Sequence, residues 1–537
     1  MIPRVKEYKE IGGCFACHHL LFPEGEDGAA GARLLGLFLP CVTAEVGQEP
    51  HITLSAETLP VGAYRLQVTG QGAVIFYGDY EGLRNAVATL AALYTDEGFL
   101  CAEIADAPEY GYRSALLDLA RGYVELPVLR EHLLRMAYLK YNVVHLHLMD
   151  GETYVMESAV VPNPDGHRQY TQAEMREICD FCRLLSLLVV PEIEFPTHAM
   201  NLLRALPELA CDIIDPAVAE AAVSVPQLDK KMIAHGRNVS AWAICIGQEH
   251  VYEVYHRIIE EIVSVFPGPY VHVGGDEIAY PHLGAVPHWD NCRVCRARMK
   301  QEGLKDSLAL YHYGFRRLHA ILASFGKRMI KWNEQEEMGA PLPLPNDVII
   351  EYWKPKDTGW VVTDPSKIEQ EKQLLRDAGF ELINAHYYYT YVDFARYMTA
   401  EKINTWLPDA TGECVMGGET CAWELGNPEY AFYAYRLPFS MGLFADRVWN
   451  RDVVPYDDTY RAELFAALLG KRGLGNAPTA PFPVILPPIK VDAEAEDAPV
   501  MSAVPDALAA LRGLDGEKLY GRLFLDAYRA HLSSLLS

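Results

Sequence analysis

The sequence predicts an α/β chain: a (β/α)8 TIM barrel, preceded by a small N-terminal α/β accessory domain and followed by a mainly helical C-terminal extension. Three observations lead there. From about Arg113 onwards, eight short apolar runs alternate with segments of helical period, the pattern of right-handed crossovers feeding a parallel sheet. Eight such units close most economically into a barrel. Just past every one of the eight runs stands a polar or aromatic residue, and the C-terminal ends of the strands are where such barrels carry their working groups.

The elements follow in order. A chain of 537 residues exceeds one ordinary core, and its divisions read as 1–110, 111–450 and 451–537. In the first, strands are expected at Gly13–Phe22, Leu34–Leu39, Ala63–Thr69 and Ala73–Tyr77, then an amphipathic helix over Tyr80–Leu93. The barrel runs are Ser114–Ala120, Asn142–Leu148, Leu187–Phe195, Tyr270–Gly274, Arg328–Trp332, Val348–Trp353, Phe380–Ala385 and Cys414–Gly418. Helical patterns lie near Pro127–Lys140, Thr171–Leu188, His250–Val265, Ser307–Phe325, Ile368–Ala378, Thr399–Trp406 and Glu429–Phe444. The connection from Pro196 to Gln248 is long for a βα unit and reads as carrying extra loops. After Arg447 come a helical pattern over Tyr456–Leu469, a proline-rich stretch over Gly475–Pro488, and an acidic then helical tail.

Composition narrows the function. Half the residues are hydrophobic and 22% are charged, as in a globular chain. No run approaches the roughly 20 apolar residues of a membrane span. A formal charge of −25 argues against a nucleic-acid partner, which clustered lysine and arginine would recognise; a neutral substrate suits the chain better. The first ten residues hold no apolar signal region, and twelve cysteines form no short disulfide framework, so the expected setting is the reducing cytoplasm. No cofactor is expected.

The stretch Tyr270-Val-His-Val-Gly-Gly-Asp-Glu-Ile-Ala279 is the focus. A β-branched run ends in two glycines, which let the backbone turn sharply and aim the adjacent acids Asp276 and Glu277 into one pocket. The other strand ends offer Arg121, Asp150, His198, Trp332, Trp353, the Tyr387–Tyr391 run, and Trp423 with Glu424. Two chemistries compete for these groups. His145-x-His147 with Asp150, His198 and His272 resembles a divalent-metal cluster, but two later strands end in tryptophan, which is no ligand. His145 and His147 therefore read as buried hydrogen-bonding residues. Glycoside hydrolysis fits better, although a standard retaining pair of carboxylates flanks the sugar about 5–5.5 Å apart, which neighbours on one strand end do not. Catalysis assisted by the substrate's own 2-acetamido group removes that difficulty. Away from these residues, Cys14-x-x-Cys17-His18-His19 reads as ordinary reduced thiols. Cys292-x-x-Cys295, downstream of His282 and His288, is half of a zinc site with no second cysteine pair nearby in sequence, and is left open.

The segments Leu117-Asp-Leu-Ala-Arg121, Asn142-Val-Val-His-Leu-His-Leu-Met-Asp150, Pro191-Glu-Ile-Glu-Phe-Pro-Thr-His198, His272-Val-Gly-Gly-Asp-Glu277, Trp332-Asn-Glu334, Tyr352-Trp-Lys354 and Gly417-Gly-Glu-Thr-Cys-Ala-Trp423 resemble, in order, the family 20 glycoside hydrolases, the β-N-acetylhexosaminidases. The resemblance implies exo-acting, retaining removal of terminal β-linked GlcNAc, GalNAc or both, with Glu277 as general acid/base and Asp276 holding the acetamido group. It implies a relay from Asp150 and His198 to Glu277, Arg121 on the ring hydroxyls, and Trp332, Trp353 and Trp423 boxing the acetamido methyl and ring. Tyr391 would hydrogen-bond the acetamido oxygen, with Tyr387, Tyr388 and Tyr389 as neighbours in register. One departure stands out: the family commonly has Trp-x-Glu after the eighth strand, whereas here Glu424 follows Trp423 directly. The implied partner is a terminal β-N-acetylhexosaminide glycan, with no nucleic acid and no membrane; a homodimer is left open. The competing readings are a weak glycan-binding protein on the same barrel and a metal-dependent hydrolase.

Overall fold

Alternation within the N-terminal strands sets the first sheet. The computed structural model describes residues 2–214, 243–278, 285–334, 343–354, 365–392, 400–409, 415–423, 425 and 431–452. Its first layer is built from β1 (Glu7–Phe15), β4 (Ile52–Ala56), β5 (Tyr64–Thr69), β6 (Gly72–Tyr77), β7 (Tyr94–Thr95) and β8 (Gly98–Asp106), in spatial order β1-β8-β5-β6-β4 with β7 beside β8. In β5, Tyr64, Leu66 and Val68 point inward, and in β6 Ala73, Ile75 and Tyr77 do, the period of two of a sheet with one face covered. A separate parallel pair, β2 (His19–Phe22) and β3 (Thr43–Val46), lies beside it.

The expected strand at Leu34–Leu39 is instead the end of a helix, Glu26–Phe38. Its buried positions Gly28, Gly31, Ala32, Leu35 and Phe38 recur at three and four residues, and the short run Leu34–Leu39 was the most apolar part of that stripe. The helix Tyr80–Ala92 forms where expected, capped by Asp79, whose carboxylate accepts from the Gly82 N–H at 2.7 Å. From it the buried Arg84 donates to the carbonyls of Ala137 and Tyr141 at 2.6 Å each, which fastens this layer to the barrel. Asp106, at the end of β8, does the same: it accepts from Lys140 Nζ and Tyr64 OH at 2.8 Å and from Trp449 Nε1 at 2.9 Å.

The barrel closes as predicted. Its strands are β9 (Tyr112–Asp118), β10 (Val143–His147), β11 (Leu188–Glu192), β12 (Tyr270–His272), β13 (Arg328–Trp332), β14 (Ile349–Tyr352), β15 (Glu381–Asn384) and β16 (Val415–Ala422), all parallel, with β16 returning to pair with β9. Every residue of β9, β10 and β14 is buried, because helices cover the outer face and side chains fill the inner one. The covering helices include Leu126–Tyr138, Gln172–Leu184, Glu249–Val265, Ser307–Ser324 and Ala431–Trp449, each within a few residues of its expected span except at the C-terminal end of the last. The expected elements beyond residue 452 lie outside the described residues. No helix among the described residues is long and apolar enough to cross a membrane.

Two buried histidines give this fold a pH signature. Burial and the neighbouring Arg135 hold His132 down at about 3, and burial with Lys372 does the same for His386, whose Nδ1 accepts the Tyr388 N–H at 3.2 Å. Between the ordinary histidine value of 6.5 and 3, the unfolded chain binds protons that the native state refuses, so stability falls as pH falls, by about 1.4 kcal/mol per pH unit per histidine. Thermal unfolding followed across that window is expected to show the Tm of the wild type falling relative to that of His132→Gln as the pH is lowered.

Candidate active site

The site grows from the end of β12. Gly274 and Gly275 have φ of +63° and +109°, and both need to be glycine for a second reason: a Cβ on Gly274 would stand 1.9 Å from Glu194 Oε2, and one on Gly275 would stand 2.9 Å from the ring of Phe315. The turn they make is pinned by the Tyr311 hydroxyl, which donates to Gly275 O, and by Thr197 Oγ1, which donates to Asp276 O, both at 2.6 Å. Asp276 and Glu277 emerge from it side by side.

His198 meets both acids. Its Nε2 lies 3.6 Å from Asp276 Oδ2 and 3.5 Å from Glu277 Oε2, and its Nδ1 donates to Asp150 Oδ1 at 3.2 Å. His198 (φ +52°) and Glu277 (φ +56°) both occupy the left-handed region, which costs a residue with a Cβ about 1 kcal/mol or more. Asp150 also accepts from Arg121 Nη2 at 2.6 Å and from His147 Nε2 at 2.9 Å. Burial alone would raise the Asp150 carboxyl, but Arg121, then His198 and His147, hold it well below the usual range. For His198 burial favours the neutral ring, and Asp150 and Asp276 overcome it, so the imidazolium is favoured well above its ordinary value. The Glu277 carboxyl is raised, chiefly by burial and further by Asp276, against the pull of His198, Lys354 and Arg121.

Below this cluster, inside the barrel, Glu192 accepts from Trp332 Nε1 at 2.8 Å, lies 2.8 Å from His272 Nδ1 and pairs with His147 Nδ1. His145 bonds Glu419 at 2.9 Å. The set read from His145, His147, Asp150, His198 and His272 is not brought together as a whole: His145 and His272 meet at Glu192, their ligand atoms within 4.8 Å, whereas His147 bridges Glu192 to Asp150 and His198 turns to the acids at the mouth. His145 and His147 are fully buried, hydrogen-bonded residues.

Trp332, Trp353 and Tyr391 are buried in one cluster with Trp423 at its edge. Trp353 and Tyr391 lie nearly parallel, 9° apart with centroids at 6.3 Å, and Tyr391 and Trp332 meet Trp423 at 5.8 and 5.9 Å. Within the tyrosine run, Tyr391 faces both Trp353 and Trp423. The charged and aromatic halves join where the Arg121 guanidinium sits 5.1 Å over the Trp423 ring. Arg121 is also tied to Asp118 at 3.1 Å. Glu424 lies outside the described residues.

Two residues of this site, Asn333 and Glu194, are assigned no role by the sequence, and a third, Glu334, is offered by it only as an alternative nucleophile. Asn333 orients Trp353, accepting its backbone N–H at 2.7 Å and its indole N–H at 2.8 Å. Glu334 pairs with Lys354 at 3.4 Å and is pushed up to about 7 by burial and by Asp276 and Glu277, with Lys354 opposing. Glu194 is buried beneath Gly274 and raised well above the usual range by burial. Their signal was position: each stands within two residues of a strand end and inside a segment that carries the family resemblance.

A closed parallel barrel with adjacent carboxylates, a histidine bridge and an aromatic box on one rim has the architecture of barrel glycoside hydrolases. Residues 110–436 match the model described as glycosyl hydrolase family 20, catalytic domain, and the chain belongs to that family. A β-hexosaminidase of Porphyromonas gingivalis is 29% identical over 345 residues, 59% of this chain and 41% of the relative. One of Akkermansia muciniphila is 29% identical over 357 residues, 63% and 66% of the two chains. The chain thus spans less than two thirds of the length of either. Among solved structures, an exo β-N-acetylglucosaminidase from Vibrio harveyi shares the fold, with a TM-score of 0.71 at 22% identity over 88% of this chain and 76% of that one.

The double demand on Gly274 makes a sharp test. Gly274→Ala is expected to lower kcat/KM toward an aryl β-N-acetylglucosaminide by roughly 100-fold or more, because a displaced strand end moves both acids. Gly303→Ala is its control: Gly303 has φ +66° at an exposed helix end with nothing within 4 Å of a Cβ, so it should lose about 1 kcal/mol of stability and keep its activity.

Proposed function

We propose that this chain is an exo-acting, anomer-retaining β-N-acetylhexosaminidase that releases terminal β-linked GlcNAc, GalNAc or both through participation of the substrate's acetamido group. The observation that carries it is the pair Asp276 and Glu277, adjacent on one strand end and both within 3.6 Å of His198 Nε2. Carboxylates so placed stand on one side of the sugar and do not serve as the opposed acid and nucleophile of a standard retaining pair. Among the described residues the other candidate nucleophiles are engaged elsewhere: Glu334 by Lys354, Glu419 by His145 and Ser114, while Glu351 is fully buried inside the barrel near His272; a fourth, Glu424, lies outside them. The β-hexosaminidase relatives accord with this reading.

In the proposed reaction the acetamido carbonyl oxygen attacks the anomeric carbon as the glycosidic bond breaks, and Glu277 gives its proton to the leaving oxygen. Burial keeps that carboxyl protonated to higher pH than an exposed glutamate. The Asp276 carboxylate accepts the acetamido N–H and stabilises the positive charge of the oxazolinium ring. Water then attacks the anomeric carbon from the vacated face, giving its proton to the Glu277 carboxylate, as the bond from that carbon to the acetamido oxygen breaks and its electron pair returns to the acetamido group, and the original anomer is restored. Asp150 and His198 act as positioning residues for both acids. Trp332, Trp353 and Trp423 enclose the acetamido methyl and ring, Tyr391 donates to the acetamido oxygen, and Arg121 holds the ring hydroxyls. The thiol state of the described cysteines accords with a cytoplasmic setting.

The deciding experiment varies the substrate. Successive fluorination of the acetamido methyl should lower kcat steeply; a flat series, or a glycosyl ester trapped on any Asp or Glu, would overturn the proposal. Asp276→Asn should cost on the order of 100-fold for every leaving group. It removes a charge that raises Glu277, so the alkaline limb of its kcat/KM profile should move to lower pH. Glu277→Gln should lose least with activated phenols, which depart without a proton. Arg121→Lys should raise KM more than it lowers kcat, since a forked donor becomes a point charge; an unchanged KM would remove Arg121 from the sugar.

A further inference from the structure

Four cysteines from three separated parts of the chain converge away from the reaction site. Cys211 follows the turn Pro207–Leu209, Cys245 precedes the helix Glu249–Val265, and Cys292 and Cys295 start the helix Arg293–Glu302. All four are at most 1% exposed. Their sulfurs lie within 4.8 Å of one another, with Cys245 Sγ 3.6 Å from both Cys292 Sγ and Cys295 Sγ. A disulfide needs about 2.05 Å and joins only two sulfurs, so it does not account for a cluster of four. A tetrahedral zinc–thiolate centre has Zn–S bonds of about 2.3 Å, which sets its sulfurs about 3.8 Å apart. The spacing here approaches that edge length.

The surrounding backbone is arranged around the same point. Antiparallel bridges join Ala210 to Ile244 and Ile213 to Cys292. The Cys245 N–H donates to Leu209 O at 2.8 Å, and the Arg293 N–H to Asp212 O at 3.0 Å. Gly247 lets the chain pass close by, since a Cβ there would stand 2.6 Å from Cys295 Cα. The Cys295 N–H points at Cys292 Sγ from 3.5 Å, a contact that a thiolate accepts well.

We propose that Cys211, Cys245, Cys292 and Cys295 bind one structural zinc ion. The four thiols give up their protons as they become ligands. Soft sulfur donors select zinc over magnesium, calcium or manganese, and four protein ligands leave no open position for chemistry. The ion fastens the connection that follows β11 to the one that follows β12. The first carries His198, and the Ile244 N–H, one residue before Cys245, donates to Pro196 O at 3.0 Å; the second carries Asp276 and Glu277. Zinc therefore holds the histidine and the two acids in register from behind, without touching substrate.

The test is metal analysis of the whole chain, purified under reducing conditions without chelator or immobilised metal. The wild type should carry about one zinc per chain, Cys211→Ser and Cys292→Ser should carry none, and Cys179→Ser, a buried thiol outside the cluster, should keep it. If the first two variants do not fold, the wild type still answers: an organomercurial should release the zinc in step with four thiols, and protein produced with cobalt should show the thiolate charge-transfer band of a tetrahedral centre. Brief exposure to EDTA should leave kcat/KM unchanged, while forced removal of the ion should lower Tm and activity together. Wild type free of metal with four titratable thiols, a disulfide among these cysteines, or zinc retained in Cys211→Ser would overturn the proposal. Loss of activity in EDTA ahead of any fall in Tm would overturn the structural role.

Discussion

His198 holds its place because negative charge stands on both sides of it, and the rest of the site depends on that placement. Charge alternates along one path: Glu192, His147, Asp150, His198, then Asp276, with the Glu277 carboxyl beside it. Each cation is desolvated, and each is offset by the carboxylates at its two ring nitrogens. Leaving one such charge unpaired in a buried setting costs about 3–5 kcal/mol, so the path behaves as a unit. Because Trp332 hangs from Glu192, the aromatic floor is fixed by the same charges that fix the acids.

Backbone strain is concentrated at this contact. His198 and Glu277, the two residues that meet across it, both hold left-handed torsions, and Thr197 and Tyr311 tie down the carbonyls around them. Gly274 is shaped by the same constraint from below, since the space its missing Cβ would take belongs to Glu194. The acids are aimed by crowding as much as by hydrogen bonding.

Much of this was legible in the chain. A change of period from helix to strand marks each barrel unit, and the run Arg328–Trp332 coincides with its strand. Asp276 and Glu277 announced themselves because paired acids after two glycines have few structural uses. Leu34–Leu39 misled because a short apolar run has no period of its own and only the preceding Gly28 and Gly31 reveal the helix. Asn333 and Glu194 were illegible in role, since what they do depends on a neighbour from another strand. The same holds for Cys211 and Cys245: Cys292 lies 47 residues beyond Cys245, and no local spacing joins them.

Asp106 has a consequence for how the chain divides. It binds Tyr64 of the N-terminal sheet, Lys140 ahead of β10 and Trp449 of the last described helix, while Arg84 caps carbonyls on the barrel side. Removal of residues before 110 would therefore strip the counter-ion from the buried Lys140. The N-terminal layer is tied to the barrel by these buried bonds, and grafting this catalytic unit onto another protein would keep them only if both ends of the described chain travelled together.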